Sequence, residues 1–326
     1  MAWLGDATHL PFNVAVKLPG TLADLVIVVL LFEHVRSREG WTGKALLPAA
    51  LFALNPVPAL ISAAHGQFDA LPVLFSLLAF HLRLREGKGA LEFAALALGV
   101  GIALKAYPAL LLPYLALTAP SGRKVWTFAV ALIPVGVASA VYVVAAGYSS
   151  AMVTHVIGYP STAAMGWVLF TQYVHLPLPV LVAVWLGSDV AIIAFATLVP
   201  WLALRKFVVN GASSVFAFFY AVVFRASVQY LVWGLPFFCL VSWLGTVVYS
   251  AAATTMLLGY YATDDQLALP TGLPAVVITW LQAAYDVRAA LVILSGALLV
   301  GLSLANRRRV VAYPMFRTTS TEPIAP

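Results

Sequence analysis

Charged side chains are scarce in this chain of 326 residues. Asp, Glu, Lys and Arg supply 9% of it, whereas a soluble domain has roughly 25%. Hydrophobic residues supply 63%, and the mean hydropathy is +0.97. This composition excludes an ordinary soluble domain. The longer hydrophobic runs have about 18 to 22 residues, which suits helices that cross roughly 30 Å of hydrocarbon, and the runs lack the alternating pattern of a membrane barrel. We therefore predict an all-α, polytopic membrane protein.

Cysteine and metal-binding motifs are equally scarce. The single cysteine, Cys239, lies inside an apolar run, which excludes an internal disulfide and a thiolate metal cluster. The six histidines show no HExxH or related spacing. Asp264 and Asp265 could hold a divalent metal, although an exposed acidic loop explains this pair equally well. We predict no cofactor and no metal centre.

The positive charge is arranged for a membrane and not for nucleic acid. The net charge is +6, but the cations lie in short clusters between apolar runs and not along one polar face. Lys and Arg concentrate on the cytoplasmic side of membrane proteins. Most of the 18 Lys and Arg residues gather on one side if that side holds the linkers 36–44, 83–88, 119–124 and 205–211 and the tail after 305. Four fall on the outer side: Lys17, Lys105, Arg225 and Arg288.

The apolar runs predict eleven transmembrane helices, at 19–35, 45–64, 68–82, 89–106, 107–120, 125–147, 183–204, 212–225, 229–243, 245–262 and 286–305. We predict an outer N-terminal segment at 1–18, a transmembrane domain at 19–305 and a cytoplasmic tail at 306–326. The longer outer loops fall near 148–178 and 262–285. Eleven crossings place the N-terminus outside with no preceding span to carry it across, so we expect an upstream helix to be missing. The alternative is an error in one of the divisions between spans.

Five motifs follow one another along the chain: KLPGTLAD from Lys17, LNP from Leu54, HGQFDALP from His65, KAYP with LLP from Lys105, and SVQYLVWGLP from Ser227. In order and spacing they resemble the GT-C membrane glycosyltransferases, and among these the polyprenol-phosphate mannosyltransferases of the family 87 type. HGQFDA and QYLVWGLP are the specific pieces. The resemblance implies a GT-C-like fold and transfer of a hexose, with mannose favoured over glucose, from a polyprenyl-phosphate sugar. Such proteins usually begin with a helix and an outer loop that carries an acidic base, and we expect both to be missing here.

Transfer from such a donor needs a carboxylate for the acceptor hydroxyl, cations for the phosphate and an apolar groove for the polyprenyl chain. Asp69 is the best-placed acid, and His65 precedes it by four residues. The two side chains stack if 65–69 is helical, whereas Gly66 lets the backbone bend if the segment is a turn. We predict Asp69 and His65 as catalytic residues and Gln67 as a sugar-binding residue. The alternative is a set of polar caps on two helix ends.

Lys105 and Arg225 are predicted to bind the phosphate of the donor. The ammonium of Lys105 is a point charge suited to a phosphate, and the guanidinium of Arg225 suits a bidentate contact. The neighbouring residues predicted to join them are Tyr107, Gln229 and Tyr230. The alternatives are a snorkelling lysine and an interfacial arginine within an aromatic belt of Tyr230 and Trp233.

Lys17 and Asp24 are seven residues apart, two turns along one face of the first span. We interpret Lys17 as an interface anchor and Asp24 as a residue that pairs with a neighbouring helix, with a structural ion pair near the site as the favoured form of this arrangement. His155 and Tyr159, in the first long loop, could help to cover the sugar, although isolated loop histidines usually have no specific role.

These features predict a multi-pass hexosyltransferase of the cell membrane that inverts the anomeric centre and has a cytoplasmic C-terminus. Its partners would be a lipid-linked sugar donor, a glycan or glycolipid acceptor and membrane lipid. A transporter or flippase of a lipid-linked sugar is an alternative, because buried charges and proline-interrupted helices also suit transporters. Against it, the charges gather at one membrane face and the halves show no internal repeat. A catalytically incomplete membrane subunit is a further alternative.

Overall fold

Helices make up most of the described chain. The computed structural model describes residues 11–39, 43–83, 87, 89–117, 119–146, 164–202, 208–263, 275–283 and 285–305. Within these ranges twelve α-helices of six or more residues follow one another: α1 (Phe12–Glu39), α2 (Gly43–Ala53), α3 (Ala70–Arg83), α4 (Ala90–Leu104), α5 (Leu112–Leu117), α6 (Lys124–Ala146), α7 (Leu178–Leu202), α8 (Val208–Val222), α9 (Leu235–Val241), α10 (Trp243–Thr263), α11 (Ala275–Gln282) and α12 (Tyr285–Ala305). The prediction of an all-α, polytopic membrane protein is confirmed.

Five helical segments are long and apolar enough to cross a membrane: Phe12–Ser37, Gly43–Ala64, Lys124–Ala145, Leu178–Leu198 and Tyr285–Ala305. Five shorter apolar helices of 10–17 residues accompany them. Each of the eleven predicted spans overlaps a helical segment, and the two closely spaced divisions, predicted at 106/107 and 243/245, fall at residues 105 and 242. Lys105, with φ −153°, ends α4, and Ser242, with φ −155°, separates α9 from α10, because both adopt extended backbone.

Two sets of helices pack together through α9. In the first set α4 lies between α3 and α6, and α3 also packs on α1. In the second set α12 lies between α8 and α10. The short helix α9 contacts α2, α8 and α10. Its Phe237 meets Phe80 of α3 edge to face at 5.5 Å between ring centroids, and Phe216 of α8 at 5.7 Å. The buried aromatic core therefore joins the two sets through α9.

The span predicted at 45–64 is a broken helix. After α2 ends, Asn55 caps a new turn at Pro56–Pro58, where its Oδ1 accepts the N–H of Val57 at 3.0 Å. The amide of Asn55 also donates to Ser250 Oγ of α10 at 2.6 Å. Neither proline has an N–H to continue the hydrogen bonds of α2, so the helix breaks at this point. The π-helical Ala59–Ala64 follows and leads the chain into the turn at 65–69.

Both predicted outer loops contain helical pieces where the structure describes them. Trp167–Tyr173 is a 3₁₀ segment, and Ala275–Gln282 is α11. Asp286 of α12 accepts hydrogen bonds from Gln172 Nε2 at 2.6 Å and from the Tyr173 hydroxyl at 2.5 Å, and the second bond raises the pKa of the Tyr173 phenol. The first loop is thereby attached to the start of α12. The predicted loop residues that lie outside the described ranges are His155, Tyr159, Asp264 and Asp265.

Candidate active site

The turn at 65–69 is the centre of the site. His65 ends the π-helix, and Gly66 follows with φ +80°, in the left-handed region that favours glycine. Asp69 then immediately precedes α3. The segment is therefore a turn and not a helix, so His65 and Asp69 do not stack one above the other. Each takes its own set of partners.

Asp69 is fully buried and binds two side chains from distant parts of the chain. Its Oδ2 lies 2.6 Å from Lys105 Nζ, and its Oδ1 accepts the indole N–H of Trp233 at 2.8 Å. The Asp69 side chain is 0% exposed, whereas that of Lys105 is 21% exposed. Because both carboxylate oxygens already have a donor, Asp69 fixes the ammonium of Lys105 from the inside. The partly exposed ammonium is the member of the pair that a ligand can reach.

Aromatic rings border this ion pair. Trp233 stacks between Tyr107 and Tyr230, with ring centroids 3.7 and 3.8 Å away. The Nζ of Lys105 lies 5.0 Å from the ring centroid of Phe68 and 5.9 Å from that of Tyr230, within the range of cation–π attraction. The ammonium is thus held over the turn by a carboxylate below it and by rings beside it.

Tyr107 supports the turn from the protein interior. Its ring is buried, and its hydroxyl makes a long contact of 3.4 Å to the backbone carbonyl of Asp69. Tyr107 opens the 3₁₀ segment that follows the extended residue Lys105. The KAYP motif therefore contains both the cation Lys105 and the Tyr107 ring on which Trp233 stacks.

His65, Gln67 and Tyr261 form a second polar group on the same turn. The Nε2 atoms of Gln67 and His65 lie 3.2 Å apart, and because an amide nitrogen only donates, the imidazole Nε2 accepts. His65 then carries its proton on Nδ1 and donates it to the Tyr261 hydroxyl at 3.3 Å. That hydroxyl donates to the carbonyl of Leu60 at 3.2 Å. This chain of hydrogen bonds orients a neutral imidazole against α10.

Arg225 lies against α7. Its guanidinium stacks on the ring of Trp185, 3.8 Å from the centroid, and Asp189, one turn along α7, interacts with its charge. Gln229 is half-buried in the 3₁₀ segment Val228–Val232. The structure therefore places Tyr230 beside Lys105, while the side chain of Arg225 contacts α7.

Lys17 and Asp24 form no ion pair within the described part of the chain. The side chain of Lys17 runs across the turn, and a Cβ built on Gly66 would lie 3.3 Å from its Cγ. Asp24 faces Ser62 of the π-helix, and its Oδ1 has no hydrogen-bond partner among the described residues. Seven helical residues separate the two by roughly 10.5 Å along α1, and Lys17 extends toward the turn and not toward Asp24.

Sequence reasoning missed three contributors to the site: Phe68, Trp233 and Tyr261. Trp233 was considered only as part of an interfacial belt, but it is 5% exposed and hydrogen-bonded to Asp69. Its place in the QYLVWGLP motif could have indicated a role inside the protein. Phe68 lies within HGQFDA and offered a similar signal. Tyr261 offered none, because its partner His65 is 196 residues away in the sequence.

Chemically, the site offers an ammonium, a neutral imidazole, an amide and exposed ring edges. These groups suit an anion and the hydroxyl groups of a sugar. Among the residues that the structure describes, no group of three or more His, Cys, Asp or Glu side chains is placed to hold a metal ion.

Comparison with known families supports the resemblance seen in the motifs. The family model of glycosyltransferase family 87 matches residues 7–224, which covers α1 to α8 and therefore the turn at 65–69 and Lys105. The residues that complete the site from the other side, Tyr230, Trp233 and Tyr261, follow the matched region. No curated protein and no solved structure matches the chain.

Proposed function

Because this chain belongs to glycosyltransferase family 87, we propose that it transfers a hexose, with mannose as the first candidate, from a polyprenyl-phosphate sugar to a glycan or glycolipid acceptor. The broader statement, that it is a membrane glycosyltransferase, follows from the family match and the apolar helices. The observation that best supports the finer proposal is the ammonium of Lys105, which the buried Asp69 fixes among aromatic rings. A cation held in advance where a phosphate leaves is the kind of group that stabilises this transition state.

In the proposed reaction the acceptor hydroxyl attacks the anomeric carbon from the face opposite the phosphate. A new C–O bond forms, the bond between the anomeric carbon and the phosphate oxygen breaks, and its electron pair stays on the phosphate. The anomeric configuration is therefore inverted. Lys105 neutralises the charge that grows on the phosphate, and Asp69 acts through Lys105 by holding it in place.

The proton of the acceptor hydroxyl needs a base. His65 is our candidate, because its Nε2 carries a lone pair and its Nδ1 proton is already directed to Tyr261. Gln67, which now donates to that nitrogen, would turn to a sugar hydroxyl when the substrate binds. This assignment keeps His65 as a catalytic residue and gives Asp69 a positioning role.

Arg225 is proposed as a second phosphate contact on the α7 side. Stacking on Trp185 covers one face of the guanidinium and leaves its N–H edge available for a bidentate contact. Tyr230, whose ring lies beside Lys105, and its sequence neighbour Gln229 are proposed to contact the sugar. Divalent metal has no part in this scheme.

We place the reaction at the outer face of the cell membrane and the C-terminus in the cytoplasm. The support is the distribution of charge: most Lys and Arg residues fall in the linkers 36–44, 83–88, 119–124 and 205–211 and in the tail after 305, and Lys and Arg concentrate on the cytoplasmic side of membrane proteins. Sugar nucleotides are found in the cytoplasm, so an outward-facing site agrees with a lipid-linked donor.

The direct test is transfer by membranes that contain the full chain. Radiolabelled polyprenyl-phosphate mannose would be incubated with a lipid-glycan acceptor extract, beside polyprenyl-phosphate glucose and a mannose nucleotide. We expect Lys105→Ala to lower transfer by about 100-fold or more and Asp69→Asn by about 10- to 100-fold, since a missing charge-stabilising group typically costs this much. The matched control is Glu92→Gln, which breaks the ion pair of Glu92 with Arg123 at the opposite end of the helices.

Transfer from the lipid-linked donor that survives in the control and falls in both site variants would support the proposal. Transfer from the mannose nucleotide and from neither lipid-linked sugar would refute the proposal that the donor is a polyprenyl-phosphate sugar. Movement of the intact lipid-linked sugar across vesicles, without transfer to any acceptor, would favour the transporter alternative.

A further inference from the structure

Lys17 lies over the turn of the site and not at a distance from it. It belongs to the half-buried part of α1, and its aliphatic chain crosses Gly66: a Cβ at Gly66 would lie 3.3 Å from Lys17 Cγ and 3.7 Å from its Cε. Nζ is one C–N bond of about 1.45 Å farther along, so it lies within roughly 5.2 Å of that point. The ammonium is therefore at the turn itself.

Close backbone contact fixes α1 against the turn. A Cβ on Gly20 would lie 2.7 Å from the carbonyl oxygen of Gln67 and 3.3 Å from Ser62 Cβ. Only glycine permits this approach, and Gly20 is three residues beyond Lys17 on the same face of α1. The position of Lys17 relative to the turn is thus set by rigid elements on both sides.

Of the two lysines at the turn, Lys105 has an ion-pair partner among the described residues and Lys17 has none. Lys105 is compensated by Asp69 at 2.6 Å, so this pair contributes no net charge. Asp24 faces Ser62 of the π-helix. Among the described residues, the ion pairs are Glu33–Arg36, Asp69–Lys105 and Glu92–Arg123, and none of them includes Lys17. Within the described part of the chain, Lys17 is therefore a positive charge at the turn without an ion-pair partner.

We propose that Lys17 binds the phosphate of the lipid-linked donor and supplies the uncompensated charge that attracts it. This inference rests on the proposed function and adds a residue to the same site. Lys17 lies over Gly66, and Lys105 lies over Phe68, so the two ammoniums flank one short turn. A phosphate between them would contact a compensated cation that is rigidly held and an uncompensated one that provides the long-range attraction.

An uncompensated ammonium at a membrane boundary is expensive to bury and gains most from an anionic ligand. A charged hydrogen bond of this kind corresponds to about 10- to 100-fold in affinity. The unphosphorylated polyprenol shares the apolar chain and lacks the anion, so its binding depends on the groove and not on Lys17.

The test measures binding of polyprenyl phosphate and of the parent polyprenol to the purified full chain in nanodiscs of zwitterionic phospholipid. We expect Lys17→Gln to weaken polyprenyl phosphate binding by about 10- to 100-fold and to leave polyprenol binding unchanged. Lys17→Arg should restore most of the affinity, because the charge is kept. The matched control is Lys44→Gln, an exposed lysine at the opposite end of the helices, which should bind both ligands as the wild type does.

Three outcomes would overturn the inference. Lys17→Gln could bind polyprenyl phosphate as tightly as the wild type, or it could lose both ligands equally, which would indicate a role in folding alone. Full competition by an anionic phospholipid added to the nanodiscs would show that Lys17 recognises bulk lipid headgroups and not the donor. A wild-type chain that does not prefer polyprenyl phosphate to polyprenol would instead refute the proposed function, and the inference with it.

Discussion

The hydrogen bond between Trp233 and Asp69 provides the most informative test of how the site is built. The indole N–H donates to Oδ1 at 2.8 Å, and both side chains are buried. Trp233→Phe keeps a ring that can stack on Tyr107 and Tyr230 but removes the donor. A hydrogen bond to a charged group contributes about 1.5–3 kcal/mol, so we expect the free energy of unfolding to fall by at least that amount.

A double-mutant cycle isolates this contact. Asp69→Leu removes the acceptor with little change in shape and leaves Lys105 without its carboxylate in both the single and the double variant, so that effect cancels. The combination of Asp69→Leu with Trp233→Phe should be less destabilising than the sum of the two, by about 1.5–3 kcal/mol.

The measurement is reversible unfolding of the four proteins in mixed micelles. The control is Trp126→Phe, because Trp126 is 52% exposed and makes only a 3.3 Å contact to Glu92; we expect a change within about 0.5 kcal/mol. If the changes in the free energy of unfolding for Trp233→Phe and Asp69→Leu add to within about 0.5 kcal/mol, the two side chains are not coupled, which would contradict the hydrogen bond between them.

Two further substitutions test the packing and the second polar group. Gly211→Ala would place its Cβ 1.6 Å from Cζ of the buried Tyr114, so we expect a loss of about 3 kcal/mol or more in thermal unfolding, whereas Gly136→Ala in α6 meets nothing within 4 Å and should stabilise by about 0.5–1 kcal/mol. Equal changes in stability for Gly211→Ala and Gly136→Ala would contradict the close contact between Gly211 and Tyr114. Tyr261→Phe removes the hydroxyl that orients His65 and should lower transfer about 10-fold while costing only about 1 kcal/mol of stability, with Tyr260→Phe as the neighbouring control; unchanged transfer would remove His65 from the catalytic scheme.

The helical segments could be predicted from the sequence because hydrophobic runs of this length have few alternatives in a membrane. The first and last residues of the helices were harder to predict from the sequence. The first span was predicted to begin at 19, yet α1 begins at Phe12 and continues through Pro19. Pro19 has no N–H to donate to the carbonyl of Ala15, so α1 lacks one backbone hydrogen bond there. The helix also runs on to Glu39, and Glu33 and Arg36 form an ion pair on its surface.

The site residues could be predicted where polar side chains lie within a short recognisable motif. HGQFDA and KAYP contain the polar residues that the fold brings together, so Asp69 and Lys105 could be selected before their contact was known. Their pairing could not, because 36 residues separate them and nothing local distinguishes a paired lysine from a snorkelling one. The roles of Trp233 and Lys17 likewise depend on packing. Trp233 lies just before α9 and donates a hydrogen bond to Asp69 of the turn. The side chain of Lys17 can cross the turn because Gly66 has no Cβ.

The central claim is that the ammonium of Lys105 receives the phosphate of a lipid-linked sugar. The most direct measurement is magic-angle-spinning NMR of the full chain in lipid bilayers, with ¹⁵N-labelled lysine and bound polyprenyl phosphate, to detect dipolar coupling between ³¹P and a lysine Nζ. We expect couplings from Lys105 and from Lys17. The Lys105 coupling should disappear in Lys105→Gln while the Lys17 coupling remains, and both should persist in Lys44→Gln. Saturable binding of polyprenyl phosphate with the same couplings in Lys105→Gln and in the wild type would contradict the central claim.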